Sequence, residues 1–270
     1  MTDREVIILT GGTGSLGRNL TRVMSLKSDI FQLSLRKHNS SAMFGQFAEL
    51  HGLRNRNIKL LHAAWPVRFS DYQSSPENKK FYELSKGLFS WFLENFEGSI
   101  IGVGSILEAG GIAEVLDNSS ADPQSEYAKY KVLTQEWLSS QATGKYSWLR
   151  VGYQFAKSDP PHKLIPTLLC DSLPFLKQPH ASRDYIHVSD VAEAIQALLE
   201  NQMTSVMTIS TGSSVSPLQI ARVLGRKVQF DSHSAYSIQT TRPDNLFKTG
   251  WRPRFYLKDF ERALEEEEKF

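Results

Sequence analysis

Val6-Ile7-Ile8-Leu9-Thr10 is a short unbroken apolar run, the pattern of a strand buried on both faces, and a cluster of glycines follows it at once. Residues 15–26 then read as a helix. The alternation repeats with a strand over Ile30 to Leu35, a helix over about 41–53 and a strand over Ile58 to Ala64. A helix over about 76–95, a strand over Ser99 to Val103, a helix near 125–141 and a strand near Tyr146 to Val151 continue it. Strict alternation of strand and helix predicts an α/β fold built on a doubly wound parallel sheet. After Val151 the pattern loosens, because Pro160, Pro161, Pro166, Pro174 and Pro179 cut the chain into short pieces. Tyr185 to Val188, a helix from Ser189 to Glu200 and a strand over Val206 to Ser210 predict a return to the sheet, with 211–270 as a small trailing lobe.

Composition changes this picture little. Hydrophobic residues make up 40% and charged residues 22%, a globular balance, and Lys plus Arg at 31 against Asp plus Glu at 29 leaves a net charge of +2. That bias is too weak to imply a nucleic-acid partner. The lone Cys170 cannot form an internal disulfide or a cysteine-based metal site, and no metal is expected. A charged amino terminus running straight into a strand, and no apolar run of membrane length, give the expectation of a soluble cytoplasmic protein without a membrane partner. The Glu265 to Glu268 run reads as a solvated helix face.

Candidate chemistry begins at Gly11-Gly12-Thr13-Gly14-Ser15-Leu16-Gly17, which sits directly after the first strand and opens the first helix. In that position glycines permit a tight turn, let backbone N–H groups approach a pyrophosphate and pack helix against strand. The helix amino terminus then faces the anion. The end of the second strand selects the dinucleotide, since a carboxylate there would bond the adenine ribose and repel a 2′-phosphate. No acid lies between Asp29 and Glu49, and the strand instead ends Ser34-Leu35-Arg36-Lys37. Arg36 and Lys37 therefore point to NADP(H), with NAD(H) as the alternative. Residues 1–151 with about 184–210 read as the dinucleotide-binding domain, and about 152–183 with 211–270 as a substrate-binding lobe.

Ser105 follows the fourth strand, and Tyr127 and Lys131 stand four apart on the next predicted helix, so both heads project from one face. A phenol is a poor base at neutral pH, but a neighbouring ammonium stabilises phenolate; Ser105 would hold the same substrate oxygen. The spacing alone is weak, because Tyr82 and Lys86 repeat it. Order decides: only Tyr127 and Lys131 have a serine-bearing strand end ahead of them, so the second pair reads as structural.

Together these motifs resemble the extended short-chain dehydrogenase/reductase family, in its NAD-dependent nucleotide-sugar epimerase, dehydratase and ketoreductase branch. Leu61-His62-Ala63-Ala64-Trp65 is similar to that family's cofactor-lining strand end, Arg183-Asp184-Tyr185-Ile186-His187-Val188 to its signature strand, and Gly250-Trp251-Arg252-Pro253 to an element near its carboxyl end. The resemblance implies a Rossmann fold, cofactor contacts at Ala63 and Ala64, and a catalytic set of Ser105, Tyr127 and Lys131, the lysine also bonding the nicotinamide ribose. It implies that Arg183 grips a substrate diphosphate, with Arg242 as a second nucleotide contact, and that Tyr153 stands where many relatives place an asparagine. His187 reads as a packed structural histidine. A homodimer through the helices carrying Tyr82 and Tyr127 is the family expectation. Two departures matter. Ile106 and Leu107 occupy the positions of the acidic pair of the dehydratases, and the chain between Leu35 and Ala64 is short by one strand-helix unit.

The reading that follows is a NADP(H)-dependent reductase of a keto-sugar, such as a 4-keto-6-deoxy nucleotide sugar, with a nucleoside diphosphate sugar as its small-molecule partner. A nucleotide-sugar epimerase with tightly bound NAD(H) and a non-catalytic NADP(H)-sensing protein are the alternatives.

Overall fold

The computed structural model describes residues 4–53, 56–67, 71–201 and 204–267. Its centre is a six-stranded sheet made of β1 (Glu5–Thr10), β2 (Ser28–Leu33), β3 (Ile58–His62), β4 (Ile100–Ser105), β5 (Tyr146–Val151) and β6 (Val206–Ile209). The order is β6-β5-β4-β3-β1-β2, parallel throughout. Between the strands run α1 (Ser15–Met24), α2 (Ser41–Leu50), α3 (Glu77–Asn95), α4 (Glu126–Gln141) and α5 (Val188–Glu200). This is the doubly wound α/β arrangement that the alternation predicts. Among the described residues no strand pairs with the free side of β2, which agrees with the missing strand-helix unit.

The apolar runs are continuous because each strand feeds two cores. Val6 and Ile8 of β1 pack with Phe44, Phe47, Phe89 and Phe92 from α2 and α3, while Ile7 and Leu9 pack with Leu20, Met24, Ile195 and Leu198 from α1 and α5. A strand buried on both faces leaves no position for a polar side chain, so the pattern loses its alternation.

Three expectations need correction. The second strand begins two residues earlier than predicted, because its register with β1 runs from Glu5 opposite Ser28 to Thr10 opposite Leu33. Ser34 then turns the chain, its carbonyl accepting from the N–H groups of Lys37 and His38. Second, the predicted strand at Tyr185 to Val188 does not return to the main sheet. It lies within Ala181–His187, the centre of a separate small sheet, paired with Ser214–Val215, Ser237–Ile238 and Tyr153–Phe155. The reason is charge: Arg183 and Asp184 cannot cross the middle of a sheet covered on both faces without partners. Here Asp184 finds them, accepting from the N–H groups of Thr211, Gly212 and Ser213 and from the hydroxyls of Thr211 and Thr241.

Third, the acidic run is not simply solvated. Glu266 pairs with Arg254 at 3.3 Å. The Glu267 carboxylate accepts from the N–H groups of Lys157 and Ser158, and lies 2.8 Å from His187 Nε2. Glu268 lies outside the described residues. A third core, with Phe155 stacked on Phe260 at 4.2 Å, joins the small sheet to the last helix, Phe260–Glu267. No helix of the described residues is long and apolar enough to cross a membrane.

Because Asp184 accepts from all three backbone N–H groups of the 211–213 loop, Asp184→Ala should lower the unfolding free energy by about 3 kcal/mol or more. Asp184→Asn, which keeps one strong acceptor, should cost about half as much. Urea unfolding at unchanged slope measures both.

Candidate active site

The order of strands reverses between β1 and β3, and a cleft of about 490 Å³ opens at their carboxyl ends. The whole glycine turn, Gly11, Gly12, Thr13, Gly14, Ser15, Leu16 and Gly17, lines it. Each glycine has its own reason. Gly11 has φ of 77°, and a Cβ on it would lie 2.8 Å from the backbone of Ala63 and Ala64. A Cβ on Gly17 would lie 2.1 Å from the Gly11 carbonyl oxygen, so helix and turn touch there. At Gly14 a Cβ would meet only that oxygen, at 3.3 Å, and would otherwise enter the cleft.

Gly14 is also the cap of α1 and supplies no side-chain acceptor, and the first turn carries no acid. The free N–H groups of that turn therefore remain open to an anion. Ser15 Oγ, at the first position of the helix, is buried with no hydrogen-bond partner. An orphaned hydroxyl beside uncapped amides fits a diphosphate, so the turn is suited to the dinucleotide that the motif predicts.

Arg36 also lines the cleft, beyond the end of β2, together with Gln32 and Ser34. The exposed Lys37 is not among the lining residues. Ala63 and Ala64 line the opposite wall after β3. That wall is fixed by a buried chain: Ala64 N–H donates to Thr10 Oγ1, which is 2.9 Å from His62 Nδ1, and His62 Nε2 is 3.0 Å from Ser85 Oγ. Ser85 spends its proton on the Phe81 carbonyl, so the network assigns the His62 proton to Nε2. Burial, helped by the Lys131 charge, pushes His62 down to about 3, and it stays neutral.

Across the cleft, β4 and α4 bring the predicted catalytic set together. Ser105 ends β4, and its Oγ accepts from Leu107 N–H, with the Tyr127 phenol as a neighbour. Ser125 caps α4 by accepting from Ala128 N–H, so Tyr127 lies in the first turn and Lys131 one turn on, both buried and both lining the cleft. Lys131 Nζ donates to the Val103 carbonyl at 2.6 Å and lies 4.1 Å from the Trp65 ring centre, against 5.9 Å from that of Tyr127. The phenol is pushed well up by burial, with a further push from Tyr72 and relief from Ser105. Burial lowers Lys131, opposed by the Glu108 carboxylate.

Glu108, which the motifs did not mark, is wholly buried. It accepts from Ser105 N–H at 2.7 Å and from Trp148 Nε1, and pairs with Arg150 at 3.4 Å. Burial raises its carboxyl pKa, while these donors pull it back. Gly102 and Gly104 of β4 make room for the Trp148 indole, since a Cβ on either would fall 2.3 Å from it. A G-x-G within a strand was the available signal for that close approach. The second tyrosine-lysine pair lies apart: Lys86 is bound to Glu83 at 3.0 Å, sits over the Tyr82 ring, and neither lines the cleft.

At the small sheet, the Tyr153 and Tyr185 rings lie 5.7 Å apart, and burial pushes the Tyr153 phenol up while the nearby Arg183 charge pulls it back. Arg183 also donates to Ser182 and Ser237 carbonyls and to Ser237 Oγ. Tyr72, unmarked in the sequence, packs edge-on to Tyr127 at 5.1 Å. Arg242 is exposed, held by Asp244 at 3.0 Å and Glu114 at 3.9 Å. Neither Arg183 nor Arg242 lines the cleft.

Residues 98–209 match the NAD dependent epimerase/dehydratase family. No curated protein matches the chain. Among solved structures, a UDP-N-acetylglucosamine 4-epimerase from Methanobrevibacter ruminantium M1, in complex with UDP-N-acetylmuramic acid, is similar at TM-score 0.79 and 20% identity, over 98% of this chain and 97% of that one. A UDP-glucose 4-epimerase with UDP-glucose from Thermotoga maritima is similar at TM-score 0.79 and 16% identity, over 98% of both chains. RMD from Pseudomonas aeruginosa complexed with NADPH is similar at TM-score 0.76 and 15% identity, over 96% of this chain and 97% of that one. At these identities the likeness establishes a shared fold.

The glycines give a paired test. Gly17→Ala should destabilise the protein by about 2 kcal/mol or more, because backbone must move. Gly14→Ala should keep the fold within about 1 kcal/mol and weaken dinucleotide binding about tenfold. Thermal unfolding and a fluorescence titration of each variant separate the two effects.

Proposed function

The resemblance to the NAD dependent epimerase/dehydratase family is borne out over residues 98–209, and from it we propose that this chain is a NADP(H)-dependent reductase of a keto group on a nucleotide sugar. The observation that carries the reading is Arg36 on the cleft wall beyond β2, in a stretch from Ser34 to Ala48 that holds no acid. A guanidinium there suits a 2′-phosphate through paired N–H bonds. Preference for the phosphorylated dinucleotide suits net reduction from an exchanging pool better than a tightly held cofactor that cycles in place.

The dinucleotide supplies the hydride for the carbonyl carbon. The residues do the rest. Ser15 and the first-turn amides of α1 hold the diphosphate, and Arg36 the 2′-phosphate. Tyr127, pushed up by burial, keeps its proton at neutral pH and gives it to the carbonyl oxygen as the hydride arrives. The Ser105 hydroxyl, beside that phenol, orients the same oxygen. Arg183 and Tyr153, neighbours outside the cleft lining, are the polar groups nearest to hand for the substrate's phosphates and sugar. Elimination of water lacks its groups: Ile106 is buried in an apolar cluster with Ala109 and Val115, and Glu108 faces Trp148 and Arg150.

The epimerase reading is favoured by the fold shared with two UDP-sugar epimerases. Isotope transfer separates the two. With a 4-keto-6-deoxy nucleotide sugar, deuterium from labelled NADPH should appear at the carbinol carbon with one NADPH oxidised per product, and Tyr127→Phe should lose nearly all turnover while binding NADPH normally. Product formed at full rate with no NADPH consumed would replace reduction by epimerisation.

Cofactor choice is tested by Arg36→Asp. Losing one charge-assisted contact should weaken NADPH binding by about 1.5–3 kcal/mol, roughly ten- to a hundredfold, and leave NADH nearly unaffected. Calorimetric titration of both cofactors reads the difference.

A further inference from the structure

Trp65 follows the end of β3 and lines the cleft. Its indole Nε1 donates to Asn78 Oδ1 at 2.8 Å. Asn78 is fully buried, and its amide also donates to the carbonyls of Tyr72 and Ser75. The ring is thus pinned at its edge and leaves its face to a neighbour. That neighbour is the Lys131 ammonium, 4.1 Å from the Trp65 ring centre and 2.6 Å from the Val103 oxygen it donates to. The centres of Trp148 and Tyr127 are farther, at 5.8 Å and 5.9 Å. A buried ammonium has three N–H groups to satisfy, and an indole face is the aromatic surface that attracts a cation most strongly.

We propose that Trp65 is a positioning residue that acts through Lys131: its indole face holds the ammonium at the Val103 carbonyl and sustains its charge in the buried wall of the cleft. The inference rests on the reading of Tyr127 and Lys131 as the proton-transferring pair. Its consequence is that Lys131 keeps its ammonium form despite burial, the form in which it can act on Tyr127.

The groups facing Lys131 come from four elements. Tyr127 lies on its own helix. Glu108, in the turn after β4, favours the ammonium. His62, at the end of β3, is held neutral by burial. Trp148 on β5 faces it too, with Arg150 of the same strand paired to Glu108. Burial disfavours the charged lysine, so the attraction of the Trp65 face opposes burial and sustains the charge.

The test is competitive acetylation of Lys131 with isotopic acetic anhydride across pH in the full-length, dinucleotide-free protein, read by mass spectrometry against the other lysines. Removing the ring face should lower the midpoint of Lys131 by about 0.4 to 1.5 pH units in Trp65→Leu, with Trp65→Phe in between because benzene attracts a cation less than indole. A loss of packing alone would reduce thermal stability without ordering the three midpoints Trp, Phe, Leu. If the leucine variant does not fold, the phenylalanine variant decides: a lowered midpoint supports the inference. An unchanged or raised midpoint in a folded variant overturns it. Because the labelling needs no substrate, a shifted midpoint in a protein without reductase activity would count against the proposed reaction and leave the Trp65 contact standing. Full activity with an unshifted midpoint would do the reverse.

Discussion

Between the ends of β1 and β3 there is no room for a side chain: a Cβ on Gly11 would lie 2.8 Å from the backbone of Ala63 and Ala64. That contact sets the position of everything around the cleft. It forces a glycine at Gly11 in a left-handed conformation, which turns the chain sharply enough for α1 to start within a few residues of the strand. It also brings the third-strand wall against the glycine turn, where the Thr10, His62 and Ser85 chain locks it to α3. The helix terminus that faces the cleft is therefore aimed by backbone packing, not by a capping side chain.

The same economy of space governs the far wall. Gly102 and Gly104 lack side chains so that Trp148 can lie flat on β4 and reach Glu108. Glu108 in turn takes the Ser105 N–H, which fixes the residue beside Tyr127. A buried carboxylate is costly unless its oxygens are fully used, and here a backbone amide, an indole and a guanidinium use them. The carboxylate behind Ser105 still favours the Lys131 ammonium and adds a small push to the phenol, which is governed mainly by burial.

Much of the architecture was legible because parallel strands covered on both faces advertise themselves as unbroken apolar runs. Val6 to Thr10 and Tyr146 to Val151 sit where the pattern puts them, and the glycine turn, Tyr127 and Lys131 reach one cleft. What failed was decided by partners distant in sequence. The strand at Ala181–His187 joins a second sheet because Asp184 is satisfied by the loop at 211–213 and by Thr241. Glu267 is drawn inward by amides more than a hundred residues earlier and by His187. Trp65 stood inside a recognised segment, yet its role depends on Asn78 and Lys131, and no spacing rule links those three.

The protonation of the phenol follows from this burial pattern. A base that must take a proton from an alcohol gains from a nearby cation, and here the nearest cation is turned to Trp65 and Val103. An acid that must give one gains from a phenol kept neutral, which burial provides at Tyr127. Among the residues lining the cleft the one carboxylate is Asp159, pushed up by burial and paired with Lys163 at 3.9 Å. It offers no strong base beside Tyr127, which has Ser105 as its polar neighbour. Burial therefore leaves the phenol in the form that can donate a proton, while the nearest ammonium spends one of its N–H groups on the Val103 carbonyl and faces the Trp65 ring.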